Sequence, residues 1–311
     1  MNVIQKSEKS LVGKYDTFEI KEHPHHHRLY MIEMTTEALA AFLAENEAVN
    51  VQQLEYVPYM RLILAERLQK TLGEPFVKAV RGILHDRTSG GFTIGMQGQT
   101  VNDQDYVKFS TALTHLIGGV NFDAMSGTYY ARFTVSDTDN SDSYLRQAYR
   151  LFTLHTDGTF VDEPTDWLLM MKFAEANAAG GESRLLHLDD WEDLDKFSKH
   201  PLAACRIEYK APSSKNVSQT VYNQTFYEQN GKPCICFIDQ FAYPATLEQA
   251  VYLKEMSDSM ENSDATVALP LPVGDLVMIN NRFWLHGRAA FEKNPNLHRE
   301  LLRQRGYFAK V

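Results

Sequence analysis

The stretch Leu154-His155-Thr156-Asp157-Gly158-Thr159-Phe160 places an imidazole and a carboxylate two residues apart. Because side chains of an extended strand repeat every two residues, His155 and Asp157 are predicted to project from one strand face. A second histidine would complete a facial triad of two histidines and one carboxylate, which suits non-haem Fe(II) oxygenases. The best candidate is His286, in Asn280-Asn281-Arg282-Phe283-Trp284-Leu285-His286-Gly287-Arg288.

A histidine and an aspartate two residues apart are weak evidence alone, and the chain has a second such pair in His187-Leu188-Asp189. That aspartate and the next one precede an amphipathic run, which predicts capping and first-turn acids that stabilise a helix start by about 1 kcal/mol. The first pair has no helix to cap, and Gly158 after it permits a turn or a close ligand approach. The first pair is therefore preferred, with a hydrogen-bonded strand histidine as the alternative for His155.

His286 lies far along the chain from the first pair, so it would reach the site from a distant strand. It follows the turn Pro272-Val273-Gly274-Asp275 and the apolar strand Leu276–Ile279. Three protein ligands leave three open octahedral positions, of which a bidentate 2-oxo acid takes two and O2 the last. A structural metal is usually closed by a fourth protein ligand. The pattern therefore favours an open, catalytic metal site.

A basic strand follows, His298-Arg299-Glu300-Leu301-Leu302-Arg303-Gln304-Arg305-Gly306-Tyr307-Phe308. At a period of two residues its three arginines share one face with Tyr307, while Leu302 and Phe308 lie on the other face. An arginine fork grips a carboxylate in a bidentate manner. This face is therefore predicted to bind the anionic end of a ligand, with surface salt bridges as the alternative.

Two further residues are candidates for contacting a substrate. Arg132, in Tyr129-Tyr130-Ala131-Arg132-Phe133, is a weaker candidate for a second carboxylate grip. Tyr144 lies in the polar stretch Asn140-Ser141-Asp142-Ser143-Tyr144-Leu145-Arg146-Gln147. This stretch is either a lid over the site or an ordinary loop.

The composition of the 311-residue chain, 44% hydrophobic and 23% charged, is that of a soluble globular protein. No apolar run approaches the roughly 18 residues of a membrane helix, and the N-terminus lacks a signal core. The net charge of −9 disfavours nucleic acid or an anionic membrane as the main partner. Cys205, Cys234 and Cys236 form no CxxC motif, which favours a reducing cytoplasm and buried, unpaired thiols.

Hydrophobic periodicity divides the chain into a helical part and a β-rich part. Residues 35–118 carry four apolar stripes at helical spacing, with a short strand at Gly91–Met96. From about residue 128 short β-rich runs predominate, interrupted by helices near 190–197 and 246–261. We therefore predict one α+β domain over residues 1–311. Its mainly β jelly-roll core is residues 121–311, and a mostly helical flank of residues 1–120 packs outside that core.

Residues 1–30 are predicted to be an irregular lead-in that contains a histidine tract, His23, His25, His26 and His27. A tag or a metal site is one interpretation of such a tract. It is internal, however, and lacks carboxylate partners at strand or helix spacing. A solvated loop is therefore the prediction for these residues.

At these motifs the chain resembles the carbon-starvation-induced D family of iron(II)- and 2-oxoglutarate-dependent glutarate 2-hydroxylases. The resemblance covers most of the chain from about Thr111 to Phe308, whereas the first hundred residues match weakly. It is carried by Leu116–Gly118, Asn121–Arg132, Asn140–Gln147, Leu154–Thr159, Leu185–Trp191, Pro212–Ser218, Asn280–Arg288 and Arg299–Phe308.

The resemblance implies a double-stranded β-helix in which His155, Asp157 and His286 hold Fe(II). It implies that 2-oxoglutarate chelates the iron and that an arginine of the C-terminal strand holds its far carboxylate, Arg305 as first choice and Arg303 as second. The family's reaction converts glutarate, 2-oxoglutarate and O2 into L-2-hydroxyglutarate, succinate and CO2, in lysine and glutarate catabolism. Members are commonly homotetramers.

Glutarate and 2-oxoglutarate share a five-carbon dicarboxylate frame, so an enzyme that uses both must tell them apart by chelation. Glutarate then needs a cationic side chain of its own to bind its carboxylate. The nearest alternative is an oxygenase of the same architecture that acts on another small anionic substrate, such as a sulfonate or a betaine. An alternative of a different class is a metal-binding jelly roll without turnover.

Overall fold

The computed structural model describes residues 11–136 and 149–309, a mixed α/β structure with mostly β content. The α-helices of this part of the chain are α1 (Thr36–Glu45), α2 (Val51–Tyr56), α3 (Tyr59–Leu72), α4 (Glu74–His85), α5 (Asp103–Ile117), α6 (Leu194–Ser198) and α7 (Leu247–Glu261). The strands are β1 (Gly13–Lys14), β2 (Phe18–Glu22), β3 (Tyr30–Met34), β4 (Gly91–Gly95), β5 (Gly118–Val120), β6 (Ala131–Ser136), β7 (Phe152–His155), β8 (Trp167–Ala176), β9 (Ser183–His187), β10 (Arg206–Lys210), β11 (Thr220–Gln224), β12 (Phe226–Gln229), β13 (Lys232–Ile235), β14 (Ala242–Tyr243), β15 (Val267–Leu269), β16 (Asp275–Asn280), β17 (Trp284–Arg288) and β18 (His298–Phe308).

Nine of the described strands form one large sheet, in the order β1-β2-β3-β4-β16-β8-β18-β5, with β6 also paired to β18. Its centre is the antiparallel pair β8 and β18. Alternate residues of β8 are buried on opposite faces of the sheet. Trp167, Leu169 and Met171 pack on one face, and Leu168 and Met170 pack on the other. Both faces of the large sheet are therefore covered.

A smaller sheet of four strands, β15-β9-β17-β7, covers one of these faces. Leu168 and Val277 of the large sheet share a hydrophobic core with Leu185 of the small one. This is the packing of a β-sandwich. The strands β7 and β17, which carry the predicted histidine ligands, thus belong to the sheet that closes the sandwich.

Helices cover the other face of the large sheet. Phe76 and Ile83 of α4 and Phe109 and Leu113 of α5 share a core with Trp167 of β8. The four apolar stripes predicted over residues 35–118 correspond to α1, α3, α4 and α5, and the predicted short strand is β4. None of the described helices is long and apolar enough to cross a membrane.

The prediction of an irregular lead-in is wrong for the described part of residues 1–30. β2 and β3 pair in an antiparallel hairpin, and β3 pairs in parallel with β4, so these strands extend the large sheet. The sequence carried a signal, because Phe18 and Ile20 are buried at a period of two. Alternation over five residues was too short to distinguish a strand from a loop.

The histidine tract is not solvated throughout, since His23 and His26 are buried. The His26 ring packs edge-on against the Trp284 ring, with 4.9 Å between the centroids. Its Nδ1 atom accepts a hydrogen bond from the backbone N–H of Arg28. Burial lowers the pKa of His26 to about 4. Half of the tract is therefore part of the protein interior, and the prediction of a solvated loop is wrong for it.

His26 should make the protein less stable as the pH falls from about 6.5 towards 4. The unfolded chain binds a proton near pH 6.5, whereas the folded protein resists protonation down to about pH 4, so protonation favours unfolding in this window. We expect His26→Asn, which keeps a hydrogen-bond acceptor near the Nδ1 position, to remove on the order of 1–3 kcal/mol of this pH-dependent loss. Urea unfolding at several pH values measures it. A slope in His26→Asn equal to that of the wild-type protein would refute the prediction.

Candidate metal centre

The predicted metal ligands converge at one place in the sandwich. His155 is the last residue of β7 and lies directly opposite His286 of the neighbouring strand β17. Their ring centroids are 4.1 Å apart. Ligand atoms of His155, Asp157 and His286 all lie within 4.8 Å of one another, and the Asp157 side chain is only 8% exposed. Within residues 11–136 and 149–309, this is the one group of three or more histidine, cysteine or acidic residues with such spacing.

Asp157 reaches this place from a turn and not from a strand. β7 ends at His155, so the predicted strand that would carry both His155 and Asp157 is too long, and the period-two argument does not account for Asp157. Thr156 fixes the change of direction. Its backbone N–H donates to the Phe237 carbonyl at 2.8 Å, and the Phe237 N–H donates to Thr156 Oγ1 at 3.0 Å.

Gly158 and Asn281 then hold the backbone of Asp157. Gly158 has a φ of +85°, and a Cβ atom there would lie 2.2 Å from Thr165 Oγ1, so the turn requires glycine. The Asn281 Oδ1 atom accepts a hydrogen bond from the Asp157 N–H at 2.9 Å. Its Nδ2 atom donates to the carbonyls of Asp157 and Thr165 at 2.9 and 2.8 Å. One buried amide therefore clamps the carboxylate ligand from behind.

Replacement of Asn281 by alanine should weaken metal binding about 10- to 100-fold, because residues that orient metal ligands typically contribute this much. Isothermal titration of Fe(II) under anaerobic conditions measures the affinity. The control is Asn262→Ala, which removes an amide that bonds the Asp258 carbonyl at the end of α7 and lines neither of the cavities beside Asp157. Equal affinities in the two variants would show that the clamp on Asp157 is unimportant.

The hydrogen bonds of the site leave the ligand atoms available. His155 Nδ1 lies 2.8 Å from the Thr153 carbonyl, which takes the Nδ1 proton and leaves the Nε2 lone pair free. Burial lowers the pKa of both His155 and His286, so both rings are neutral. Burial opposes ionisation of Asp157, but Arg303 and the two imidazoles hold the pKa of this carboxyl well below its usual range.

This donor set fits ferrous iron. Two neutral imidazoles and one ionised carboxylate form the facial triad of non-haem Fe(II) sites. Among the described residues, His286 Nδ1 is buried without a hydrogen-bond partner, as expected for an atom of a site that holds a metal or its ligands. The arrangement can hold a divalent cation and leave positions open for further ligands.

Arg303 and Arg305 of β18 line a cavity together with His155 and Asp157, called the ligand cavity below. Arg303 is already occupied, since its Nη2 atom donates to Asp123 Oδ2 at 2.7 Å and its Nη1 atom lies 3.1 Å from Asp157 Oδ2. Arg305 is 7% exposed, and its Nε atom has no hydrogen-bond partner among the described residues. Burial and the neighbouring Arg303 lower the pKa of Arg305. Arg305 is therefore the arginine available to an anionic ligand.

A larger cavity of about 540 Å³ adjoins the other side of Asp157. It is lined by neither of the two histidines nor by Arg305, and its wall carries four further acids and two arginines: Asp162, Glu163, Asp166, Glu228, Arg206 and Arg282. With Asp157, five acids face two arginines, one of which is already paired with Asp166, so this wall is less favourable for a dicarboxylate. The ligand cavity is therefore the better candidate site, although it is smaller.

The predicted arginine face of β18 reaches the site only in part. Arg299 lies 3.7 Å from Glu175 and does not line the ligand cavity, and Tyr307 is 44% exposed. The pairing of β18 with β8 shifts between Glu300 and Leu301. The shift lies in β8, and Arg299 is separated from the cavity by its distance from Arg303 along β18, about 13 Å for four residues of extended strand.

The position of Arg132 contradicts its predicted role in binding substrate. Its guanidinium pairs with Asp103 and Glu300 and lies 5.0 Å from the centre of the Phe173 ring, on the face of the large sheet that the helices cover. It does not line the ligand cavity. The other substrate candidate, Tyr144, lies outside the described residues.

The second histidine–aspartate pair has a structural role. The Nδ1 atom of His187 accepts a hydrogen bond from the Asp189 N–H, and burial lowers the pKa of His187 to about 3. The two aspartates lie in a short 3-10 turn and form ion pairs with Arg87 and Arg28. They are first-turn acids of this 3-10 turn, as predicted in part, but they do not cap α6, which begins at Leu194 with Asp193 at its N-cap.

Lys215 is a residue of the ligand cavity that sequence reasoning missed. It is half-buried, in an irregular segment without the periodicity that identifies a strand or a helix. The one available signal was its place in the string Pro212–Ser218, which contributed to the resemblance without indicating a role. Asn281 was likewise quoted in a motif without a function.

Comparison with solved structures defines the class of fold. The chain is similar to asparagine oxygenase, with a TM-score of 0.71 at 14% identity over 90% of this chain and 93% of that chain. It is also similar to the non-haem iron oxygenase OrfP in complex with Fe and alpha-ketoglutaric acid, with a TM-score of 0.65 at 16% identity over 89% of this chain and 93% of that one. At these identities the likeness concerns the fold alone, which is that of non-haem iron oxygenases.

The family is defined by sequence. The family model CsiD matches residues 18–308, and the chain belongs to the CsiD family. It is 47% identical to the glutarate 2-hydroxylase of Citrobacter koseri over 285 residues, which cover 91% of this chain and 88% of that protein. It is 43% identical to the glutarate 2-hydroxylase of Salmonella paratyphi B over 312 residues, which cover 99% and 96%. The resemblance drawn from the motifs is thus confirmed.

Proposed function

We propose that this chain is an Fe(II)- and 2-oxoglutarate-dependent dioxygenase that hydroxylates glutarate to L-2-hydroxyglutarate, with release of succinate and CO2. The observation that carries the proposal is the convergence of His155, Asp157 and His286 beside Arg305. The names of the relatives, which align with nearly the whole chain, supply the substrate.

In this proposal each residue of the site has a distinct task. His155, Asp157 and His286 hold the iron, which when bound supplies the O2-dependent oxidation that couples decarboxylation of 2-oxoglutarate to hydroxylation. Arg305 binds the far carboxylate of 2-oxoglutarate, because Arg303 is already paired with two carboxylates. Arg303 positions Asp157 and keeps it ionised.

The direct test is succinate formation that depends on glutarate, measured with purified protein, Fe(II), 2-oxoglutarate and O2. We expect equal amounts of succinate and L-2-hydroxyglutarate. A panel containing a sulfonate and a betaine tests the alternative of a same-fold oxygenase with another substrate. Turnover of one of these in place of glutarate would overturn the proposed substrate, and no turnover of any compound would favour a binding protein.

We also propose that the two sheets form a double-stranded β-helix and that residues 1–311 are one oxygenase domain, with residues 1–120 as an outer flank. The core shared by α4, α5 and β8 supports a single unit. The division between flank and core is not strict in space. The strands β1–β4 belong to the flank in sequence, but they are part of the large sheet.

For its setting, we propose a cytoplasmic homotetramer that acts in lysine and glutarate catabolism. The three free cysteines support a reducing compartment. Tyr56, Tyr59 and Leu62 of α2 and α3 are largely exposed, and clustered apolar side chains of this kind mark interaction surfaces. Sedimentation or light scattering of the purified protein gives the number of subunits.

A further inference from the structure

The walls of the ligand cavity match the chemistry of a short dicarboxylate. Apolar side chains form one part of the lining and cationic side chains form another. The apolar residues are Phe152, Phe160, Val217, Ile238 and Phe241. The cationic residues are Lys215, Arg303 and Arg305. Methylene groups would pack on the first set, and each carboxylate needs a partner from the second.

The cations of the cavity are not equivalent. Arg303 pairs with Asp123 and Asp157, which are the two carboxylates that line the cavity. Arg305 is assigned to the co-substrate. Two dicarboxylates must be held at once for the reaction, so a cation besides Arg303 and Arg305 is needed for the substrate.

Among the described residues that line the cavity, Lys215 is the cation that remains. None of the described carboxylates forms an ion pair with it, and its ammonium lies 3.9 Å from the sulfur of Met125, a weak acceptor. Burial, together with the charges of Arg303 and Arg305, lowers the pKa of Lys215. An anionic ligand beside the ammonium would offset both the cost of burying its charge and the repulsion from the two arginines.

The chain holds Lys215 over the cavity by local contacts. Asn216 adopts a left-handed backbone conformation with a φ of +54°, which ends the turn that carries Lys215. The Asn216 side chain donates to the Ala124 carbonyl at 3.2 Å. This bond ties the segment to the turn that contains Asp123, the partner of Arg303. The lysine is therefore placed by the same turn that positions the arginine.

We infer that Lys215 binds one carboxylate of the dicarboxylate substrate and makes the enzyme select a dicarboxylate over a monocarboxylate. This inference rests on the proposed function and specifies how the substrate is recognised. Lys215 thereby takes the substrate-binding role that was predicted for Arg132.

The test compares Lys215→Met with wild type, with glutarate and with pentanoate, which has the same five carbons and one carboxylate fewer. We expect the glutarate KM to rise about 10- to 100-fold, as for the loss of a charge-assisted hydrogen bond. The 2-oxoglutarate KM should change less than about twofold, because Arg305 remains. The preference for glutarate over pentanoate should shrink by the same factor as the glutarate KM rises.

Two further variants complete the design. Lys215→Arg, which keeps the charge, should restore most of the glutarate affinity. Lys210→Met removes an exposed lysine that pairs with Glu208, and it should behave as wild type. An unchanged glutarate KM in Lys215→Met, or a rise in the 2-oxoglutarate KM alone, would overturn the inference while leaving the proposed function intact. If wild type itself formed no succinate with glutarate, the proposed function would fail and the inference with it.

Discussion

Replacement of His155 by asparagine should abolish glutarate-dependent succinate formation, with a loss of at least about 10³-fold in turnover, or roughly 4 kcal/mol. Asparagine can still bond the Thr153 carbonyl, which His155 Nδ1 contacts at 2.8 Å. It cannot reach the point where the Nε2 lone pair meets those of Asp157 and His286. The variant should therefore fold and lose Fe(II) affinity, and both properties can be measured on one preparation by circular dichroism and metal titration.

The second histidine–aspartate pair supplies the matched control. In His187→Asn the new side chain can still accept from the Asp189 N–H, which is the hydrogen bond that the structure assigns to His187 Nδ1. We expect full Fe(II) affinity and turnover within about threefold of wild type, with some loss of stability because the ring packs against Trp284. If the two variants lost equal activity, the distinction between a ligand pair and a structural pair would be untenable.

The second large effect is expected at Arg305. Arg305→Lys should raise the 2-oxoglutarate KM about 10- to 100-fold, because lysine cannot form the bidentate bonds of a guanidinium in a buried pocket. The glutarate KM should change little, since the inferred substrate contact is Lys215. Initial rates of succinate formation over a range of 2-oxoglutarate concentrations, at saturating glutarate, measure the effect.

Arg299→Lys is the control on the same strand. Arg299 is buried like Arg305, but its neighbour is Glu175 and it does not line the ligand cavity. Its replacement should leave the 2-oxoglutarate KM within about twofold of wild type. An unchanged 2-oxoglutarate KM in Arg305→Lys would show that another residue holds the co-substrate.

The local part of the site could be predicted from the sequence. The histidine and aspartate of the first pair are close in the chain, and the arginines of β18 follow a period of two within one long strand. His286 could be named as a candidate by its residue type. Its position opposite His155 could not, because the register of two strands far apart in sequence depends on the whole sheet.

The strand face from which a side chain projects was the feature hardest to predict from the sequence. Arg132 pairs in register with Leu302, which packs in the core under the helices, and so it points away from the metal centre. A one-residue difference in register would have reversed this direction. The role of Lys215 could not be predicted for another reason. Its segment has no repeating pattern, and its role depends on the turn around Asp123.

The structure changes the explanation of the central motif but keeps its residues. Asp157 was expected to face His155 by strand alternation, yet the strand ends at His155. The carboxylate is directed by a turn that depends on Gly158 and on the Asn281 clamp. A local motif thus named the ligand, whereas contacts from distant parts of the chain determine where it points.

The most direct measurement is a crystal structure of the protein grown anaerobically with Fe(II) and 2-oxoglutarate, with anomalous diffraction data collected at the iron absorption edge. We expect one strong anomalous peak within bonding distance of His155, Asp157 and His286, with 2-oxoglutarate extending from it to Arg305. An iron peak at any other position, or iron held without one of these three side chains, would contradict the account.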